Sequence, residues 1–277
     1  EIIISLTTTS FRIHTLYLTI KSLIKQNTHY NYSIRIYISK EEYLLDEGIT
    51  KVPNNLLNVI NKNPNKKIEI YETPNIGSFR KLLPLLKEKK KEDCIIITVD
   101  DDKIYKDNLV NTLVNNFLRY NGKHIIAHRA SLKINKYLIK YYIDSIESID
   151  SKILSIIENN LNNKKISQNI CNKLGSQYEL IRYLTFFEGN DGVLYHTKFF
   201  DNRVFNINLI ENYARTHDDF WFKICSLLNN IGTICISSFE NRSGSQIKSL
   251  QKISLSNKLN KGTYKNDLNY LCQHILI

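Results

Sequence analysis

Three consecutive aspartates, Asp100, Asp101 and Asp102, follow directly on the apolar run Ile95-Ile96-Ile97-Thr98-Val99, in a chain whose formal charge is +11. Neighbouring carboxylates repel one another unless a cation sits among them, either a ring of Lys and Arg or a metal ion. Hard divalent ions such as Mg²⁺ and Mn²⁺ take oxygen ligands, usually one or two carboxylates plus substrate phosphates. Two Asp spaced by one residue can share such an ion. The competing reading is an Asp-rich turn with one carboxylate capping the helix that opens near Asp107. A second acidic pair, Asp218-Asp219, opens the segment DDFWFKICSLLN. It either caps that helix or supplies a carboxylate that takes a proton from a hydroxyl. Between the two acidic motifs, EGNDGVLY brackets Asp191 with Gly189 and Gly192, as in a tight loop.

These residues need elements to hold them. EIIISLT (1–7) reads as a first strand, ending in Thr7-Thr8-Thr9-Ser10 with Arg12 close behind. Residues 14–26 carry apolar positions 16, 20, 23 and 24 at helical spacing. Ile34, Ile36 and Ile38 mark a second strand, and Ile68 with Ile70 a third, stopped by the turn at 73–77. SFRKLLPLLKEK (78–89) reads as a helix, with Pro84 kinking it or near its first turn. The strand before the aspartates, a helix striped by Leu109, Leu113 and Phe117, and a strand at Ile125-Ile126 follow. The order β-α-β-(loop)-β-α-β-α-β predicts an α/β fold, a doubly wound, mostly parallel sheet flanked by helices. Ligands of such sheets bind beyond the carboxyl ends of the strands, so Thr7–Arg12, Thr73–Gly77 and Asp100–Asp102 should meet in one crevice. Residues 131–182 are Asn/Lys-rich and read as a helical insertion or flap. The chain regains order from 183, with a helix at 218–229, a short strand at 232–237 and a basic tail ending in a helix.

The bulk composition excludes several classes. The five cysteines are widely spaced with no CxxC pair, which argues against a cysteine-bound zinc and for a reducing compartment. No stretch approaches the ~18 apolar residues of a membrane helix, so at most peripheral membrane contact and a cytoplasmic location are expected. Only 9 residues are Gly and no glycine-rich phosphate loop is present. Asn, Ile and Lys are used heavily everywhere, as AT-rich codon usage would produce, so the positive charge does not by itself mark a nucleic-acid partner.

The ordered set ISLTTTSFRIHTLYLTIKSLIKQ, IRIYIS, NIGSFRKLLPLLKE, IIITVDDDKIY, IIAHRA, EGNDGVLYH and THDDFWFKICSLLNNIGT resembles GT-A-fold glycosyltransferases, in particular a bacterial-type group related to family 2 that is common in polysaccharide synthesis. The resemblance runs along most of the chain but is poor over 131–182 and much of the tail. It implies one GT-A-like catalytic domain over 1–277, with a nucleotide-sugar-binding half (1–130), the insertion (131–182) and an acceptor-side and C-terminal region (183–277). It implies that Thr7, Thr8, Thr9, Ser10 and Arg12 hold the nucleotide's base and ribose. Gly77, Ser78 and Lys81 would lie beside the diphosphate, where a glycine permits close approach and Lys81 or Arg80 offers a cation. Asp100 would meet the ribose or the metal's shell, Asp102 the Mn²⁺ or Mg²⁺ ion itself, and Asp101 either. Asp219 would be the base, with Asp218 as the second candidate. Gly189, Asp191 and Gly192 would line the sugar and acceptor pocket, with Asp191 on a sugar hydroxyl.

The implied activity is metal-dependent transfer, with inversion, from a nucleotide-sugar donor (a UDP-sugar the first expectation) to a glycan or other hydroxyl acceptor, with no nucleic acid as partner. His128 and Arg129 read as structural, His217 as a neighbour of the base open to metal ligation, and Trp221 as core. Tyrosines at 137–142 offer rings for an acceptor sugar. Two rivals stand beside this reading. One is a nucleotidyltransferase or other sugar-nucleotide enzyme, which would favour a glycine- and basic-rich loop where this chain has Thr-Thr-Thr-Ser. The other is a non-catalytic basic glycan- or nucleic-acid-binding module, which gains nothing from five aspartates in its cleft.

Overall fold

The computed structural model describes residues 1–133, 164–175, 177, 179–238, 241–247 and 272–273. Its centre is a seven-stranded sheet in the order β10-β6-β9-β4-β1-β2-β3. The strands are β1 (Ile2–Thr7), β2 (Ser33–Ile38), β3 (Ile68–Glu72), β4 (Ile95–Thr98), β6 (Ile125–Ala127), β9 (Val193–His196) and β10 (Thr233–Cys235). All pair in parallel except β9, which runs antiparallel between β4 and β6. The α/β class expected from the sequence is the one found. β1 and β4 are central, and strands covered on both faces read as continuous apolar runs. Ile3, Ile4, Leu6, Ile96 and Ile97 are accordingly all buried.

The helices α1 (Leu16–Ile24), α3 (Leu83–Lys89) and α4 (Leu109–Arg119) fall where expected, α1 and α3 shorter than the spans 14–26 and 78–89 and α4 covering its whole apolar stripe. Residues 78–89 divide: Gly77–Lys81 form a 3₁₀ turn, and Pro84 lies in the first turn of α3, where its missing N–H costs nothing. The connection between β2 and β3, expected to be a loop, holds α2 (Asn54–Asn61), which buries only Leu56 and Val59. Two two-stranded ribbons were not foreseen, β5 (Lys103–Tyr105) with β11 (Gly244–Gln246) and β7 (Ala130–Leu132) with β8 (Thr185–Phe187).

Within 131–182 the described part contains β7, α5 (Lys164–Leu174) and most of α6 (Glu179–Leu184). The expectations for 134–163, including the tyrosines at 137–142, and for nearly all of the basic tail fall outside the described residues. Cys94, Cys171, Cys225, Cys235 and Cys272 are all free thiols and buried. Among the described residues no helix is long and apolar enough to cross a membrane.

The strand order reverses beside β1, with β2 on one side and β4 on the other, which opens a crevice at the strands' carboxyl ends. β9 delivers the glycine loop to that crevice. Because it is antiparallel to β4, with Val193 opposite Thr98, it starts where β4 ends, so residues 188–192 meet the three aspartates.

Candidate active site

A cleft of about 690 Å³ lies at this end of the sheet. Thr7, Thr8, Thr9, Arg12, Gly77, Ser78, Lys81, Asp100, Asp101, Asp102, Gly189, Asp218 and Asp219 all line it. Segments far apart in sequence therefore converge as the strand order requires.

The acidic loop at the end of β4 is balanced mostly by protein cations. Asp101 accepts from Thr8 Oγ1 at 2.7 Å and from Arg12 Nη1 at 2.8 Å. Thr19 Oγ1 holds its backbone carbonyl at 2.8 Å. Arg12 Nη1 lies 3.6 Å from Asp102, and Lys81 Nζ lies 3.3 Å from Asp100. Burial alone would raise the Asp100 carboxyl, but Lys81, Arg12 and Lys103 outweigh it and hold it below the ordinary value. Asp102 goes the other way. Burial first, then the charges of Asp100 and Asp101, push it up to about 6 against the pull of Arg12 and Lys103. A ring of cations thus answers two of the carboxylates and leaves Asp102 only partly compensated.

Four of the expected site residues make protein contacts that the sequence did not suggest. Arg12, expected beside the base and ribose, lines the cleft, and its guanidinium also faces Asp101 and Asp102 as their counterion. Ser10 is not on the wall. Its amide donates to Asp46 at 2.8 Å and its hydroxyl accepts from the Glu47 amide, which ties it into the loop after β2. Asp191 and Gly192 do not line the cleft either. Asp191 is buried against Lys103 and Ser243, so no sugar hydroxyl reaches it, and Gly192 packs on Leu109.

The second acidic pair opens α7 (Asp218–Leu227) at the far wall of the cleft. Asp218 is largely committed, accepting from Ser78 Oγ at 2.9 Å and lying 2.8 Å from Lys81 Nζ. Asp219, 30% exposed at its side chain, faces the cleft more openly and sits 3.9 Å from Lys81. Burial among protein atoms and the Asp218 charge raise it to about 7, against Lys81 and the Gly189 amide. Lys81 itself is driven well above its ordinary value, because three carboxylates outweigh its burial. One buried ammonium therefore joins the two acidic motifs.

Gly189 is where a side chain cannot be accommodated. Its amide donates to Asp219 Oδ2 at 2.7 Å, and a Cβ there would stand 2.6 Å from Asp219 Oδ1 and 2.9 Å from Lys81 Nζ. Gly189→Ala is expected to fold normally and displace the Asp219 carboxylate, and any turnover that this cleft supports should fall by at least about tenfold, since small misplacements in a reacting site are costly. Unchanged turnover with a normal melting curve would show that the contact is dispensable.

Asp46 and Tyr43, which the sequence did not flag, also line the cleft. Asp46 accepts from Arg80 Nη2 at 2.9 Å, and both side chains are almost fully buried. The same nitrogen donates to the Thr8 carbonyl at 3.0 Å, so the pair props the loop after β1. The signal was an acidic residue in Asp46-Glu47-Gly48, shortly beyond the carboxyl end of β2. Asp46→Ala leaves Arg80 charged in the interior and is expected to destabilise the fold by about 3 kcal/mol, read as a lower denaturant midpoint. Tyr43, whose hydroxyl donates to Glu211 at 2.8 Å, and Glu188, paired with Arg129 at 2.5 Å, line the walls. His128 is bonded to Ser237 and Trp221 Nε1 to the Val204 carbonyl, both structural as read. His217 lines the cleft beside Asp218.

Among the described residues no three His, Cys, Asp or Glu side chains are grouped to hold a metal on their own. Asp100 and Asp102 both line the cleft, and carboxylates are the ligand type that a hard divalent ion takes in ones and twos beside phosphate oxygens. Burial first, and then the neighbouring carboxylates, lift Asp102, and a bound cation would act against both.

Neither a protein-family model nor a curated protein matches this chain. Among solved structures it is similar to S. aureus TarS 1-349, with 13% identity over 86% of this chain and 59% of that one, at a TM-score of 0.43. It is similar to the mannosyltransferase PcManGT from Pyrobaculum calidifontis in complex with GDP-Man and Mn²⁺, with 8% identity over 85% of this chain and 54% of that one, at 0.48. A third is S. aureus TarS 1-349 in complex with UDP-GlcNAc, with 12% identity over 90% and 61%, at 0.42. The chain thus spans little more than half the length of these structures.

Proposed function

We propose that the chain is a metal-dependent glycosyltransferase that moves a sugar from a nucleotide-sugar to a glycan or other hydroxyl acceptor with inversion. The observation that carries this reading is the position of Lys81, whose ammonium lies within 4 Å of Asp100, Asp218 and Asp219. Two acidic motifs from different elements face one cleft, one suited to a metal–diphosphate and the other to a proton. Thr7, Thr8 and Thr9 line the nucleotide end, and Gly77, Ser78 and Lys81 lie toward the diphosphate. Asp100 and Asp102 would hold Mn²⁺ or Mg²⁺, which when bound offsets charge on the departing diphosphate. Asp219 takes the acceptor hydroxyl's proton on a carboxylate oxygen. The acceptor oxygen then forms its bond to the anomeric carbon as the bond from that carbon to the diphosphate oxygen breaks, the electron pair leaving with the nucleoside diphosphate. Asp218, held by Ser78 and Lys81, stands beside Asp219, which burial first and the Asp218 charge second raise to about 7. Incubation with UDP-, GDP- and dTDP-sugars in Mn²⁺ should release nucleoside diphosphate from one class, and chelation should stop it. No release from any of them would contradict the reading.

A further inference from the structure

Lys103 and Asp191 form an ion pair with each side chain 1% exposed, between the strand that leaves the three aspartates and the loop that enters β9. Neither lines the cleft. Such a pair stabilises little unless its other polar atoms are also satisfied, and here it is built into a larger tie. Ser243 Oγ donates to the Asp191 carbonyl at 2.5 Å and lies 3.3 Å from its carboxylate. Ser243 precedes β11, which pairs antiparallel with β5 so that Gln246 stands opposite Lys103. At one end of that ribbon the Lys106 amide donates to the Ser243 carbonyl, and at the other the Ile247 amide donates to the Asp102 carbonyl, both at 2.7 Å. The Tyr105 hydroxyl accepts from the Asp100 amide at 2.8 Å and donates to the Asn190 carbonyl at 3.2 Å. The backbone of the acidic loop is thus fixed from two directions, by the residue 188–192 loop and by β11.

We propose that Lys103, Asp191 and Ser243 are positioning residues that hold the three-aspartate loop so that Asp100 and Asp102 face a divalent cation and a diphosphate together. This rests on the reading of the cleft as a metal–nucleotide site. It gives Asp191 a role behind the wall in place of one on the substrate. It also explains why a lysine follows three aspartates: Lys103 turns away from the cleft to neutralise the buried carboxylate.

The test measures nucleoside diphosphate binding with and without Mn²⁺ on wild type, Asp191→Asn and Ser243→Ala, with hydrogen exchange followed across residues 98–106. Ser243→Ala removes one hydroxyl and leaves the ion pair, so it carries the test if Asp191→Asn does not fold. Both variants should bind nucleotide without metal as weakly as wild type, bind it about tenfold more weakly than wild type in Mn²⁺, and exchange the amides of 100–102 at least tenfold faster. Folded variants with the full Mn²⁺ gain and unchanged exchange overturn the proposal. A wild type that shows no Mn²⁺ gain overturns the metal-site reading, and the exchange rates then decide alone whether the three residues order the loop.

Discussion

Asp219→Asn should leave the donor bound and the transfer nearly abolished, with kcat down about a thousandfold, the middle of the range for a lost general base. The amide keeps an oxygen to accept from the Gly189 amide, now 2.7 Å from Asp219 Oδ2, so the local fold has no reason to change. Nucleotide affinity should hold within about twofold. The wild type's kcat/KM should rise with pH and level off above about 7, because Asp219 is lifted to about 7 by burial and by Asp218 and works as a base only once ionised. The variant should lose that limb. Asp218→Asn is the control: it removes the charge that helps raise Asp219, so the limb should shift to lower pH while activity persists. If Asp218→Asn abolishes transfer and Asp219→Asn spares it, the roles are reversed.

The second large effect is a trade of stability for binding at Asp102. Its carboxyl is held above the ordinary 3.8, at about 6. The folded protein therefore favours the protonated form more than the unfolded chain does. As pH rises from about 4 to about 6 the unfolded chain ionises first, and native stability falls across that window, with no further change from this group above it. Two pH units correspond to about 3 kcal/mol, so Asp102→Asn should stabilise the unliganded protein by about 1–3 kcal/mol at pH 8 and by almost nothing near pH 4. For a chain of this size that is a gain of about 5 °C in Tm. The same variant should lose Mn²⁺-dependent nucleotide binding. A variant no more stable than wild type at pH 8 would mean that Arg12 and its neighbours already compensate Asp102 in full.

Much of this site was legible in the sequence because two-sided burial writes a strand as an unbroken apolar run. Ile95-Ile96-Ile97 announces β4 and therefore the exit point of the three aspartates, and Ile2-Ile3-Ile4 does the same for Thr7–Thr9. α2 escaped notice because Asn-Asn-Leu-Leu-Asn-Val-Ile-Asn is rich in poor helix formers and buries only two side chains, which leaves a short apolar stripe to read. β9 was missed for a different reason. Its four residues carry no alternation, since both faces are covered, and its pairing with β4 spans about a hundred residues. That distance also explains the misplacement of Asp191. An aspartate between two glycines looks like a ligand-facing loop, and its partner Lys103 lies 88 residues away. Lys81 shows the same limit in milder form: a cation beside a glycine turn was foreseeable, its three carboxylate neighbours were not.

A metal–nucleotide site closed by Asp100 and Asp102 is tested by calorimetric titration of UDP, GDP, CDP and dTDP, with and without Mn²⁺, on wild type and Asp102→Ala. Micromolar binding of one nucleotide that requires Mn²⁺ and disappears with the substitution is the result expected. No binding of any nucleotide, with or without the metal, would contradict it.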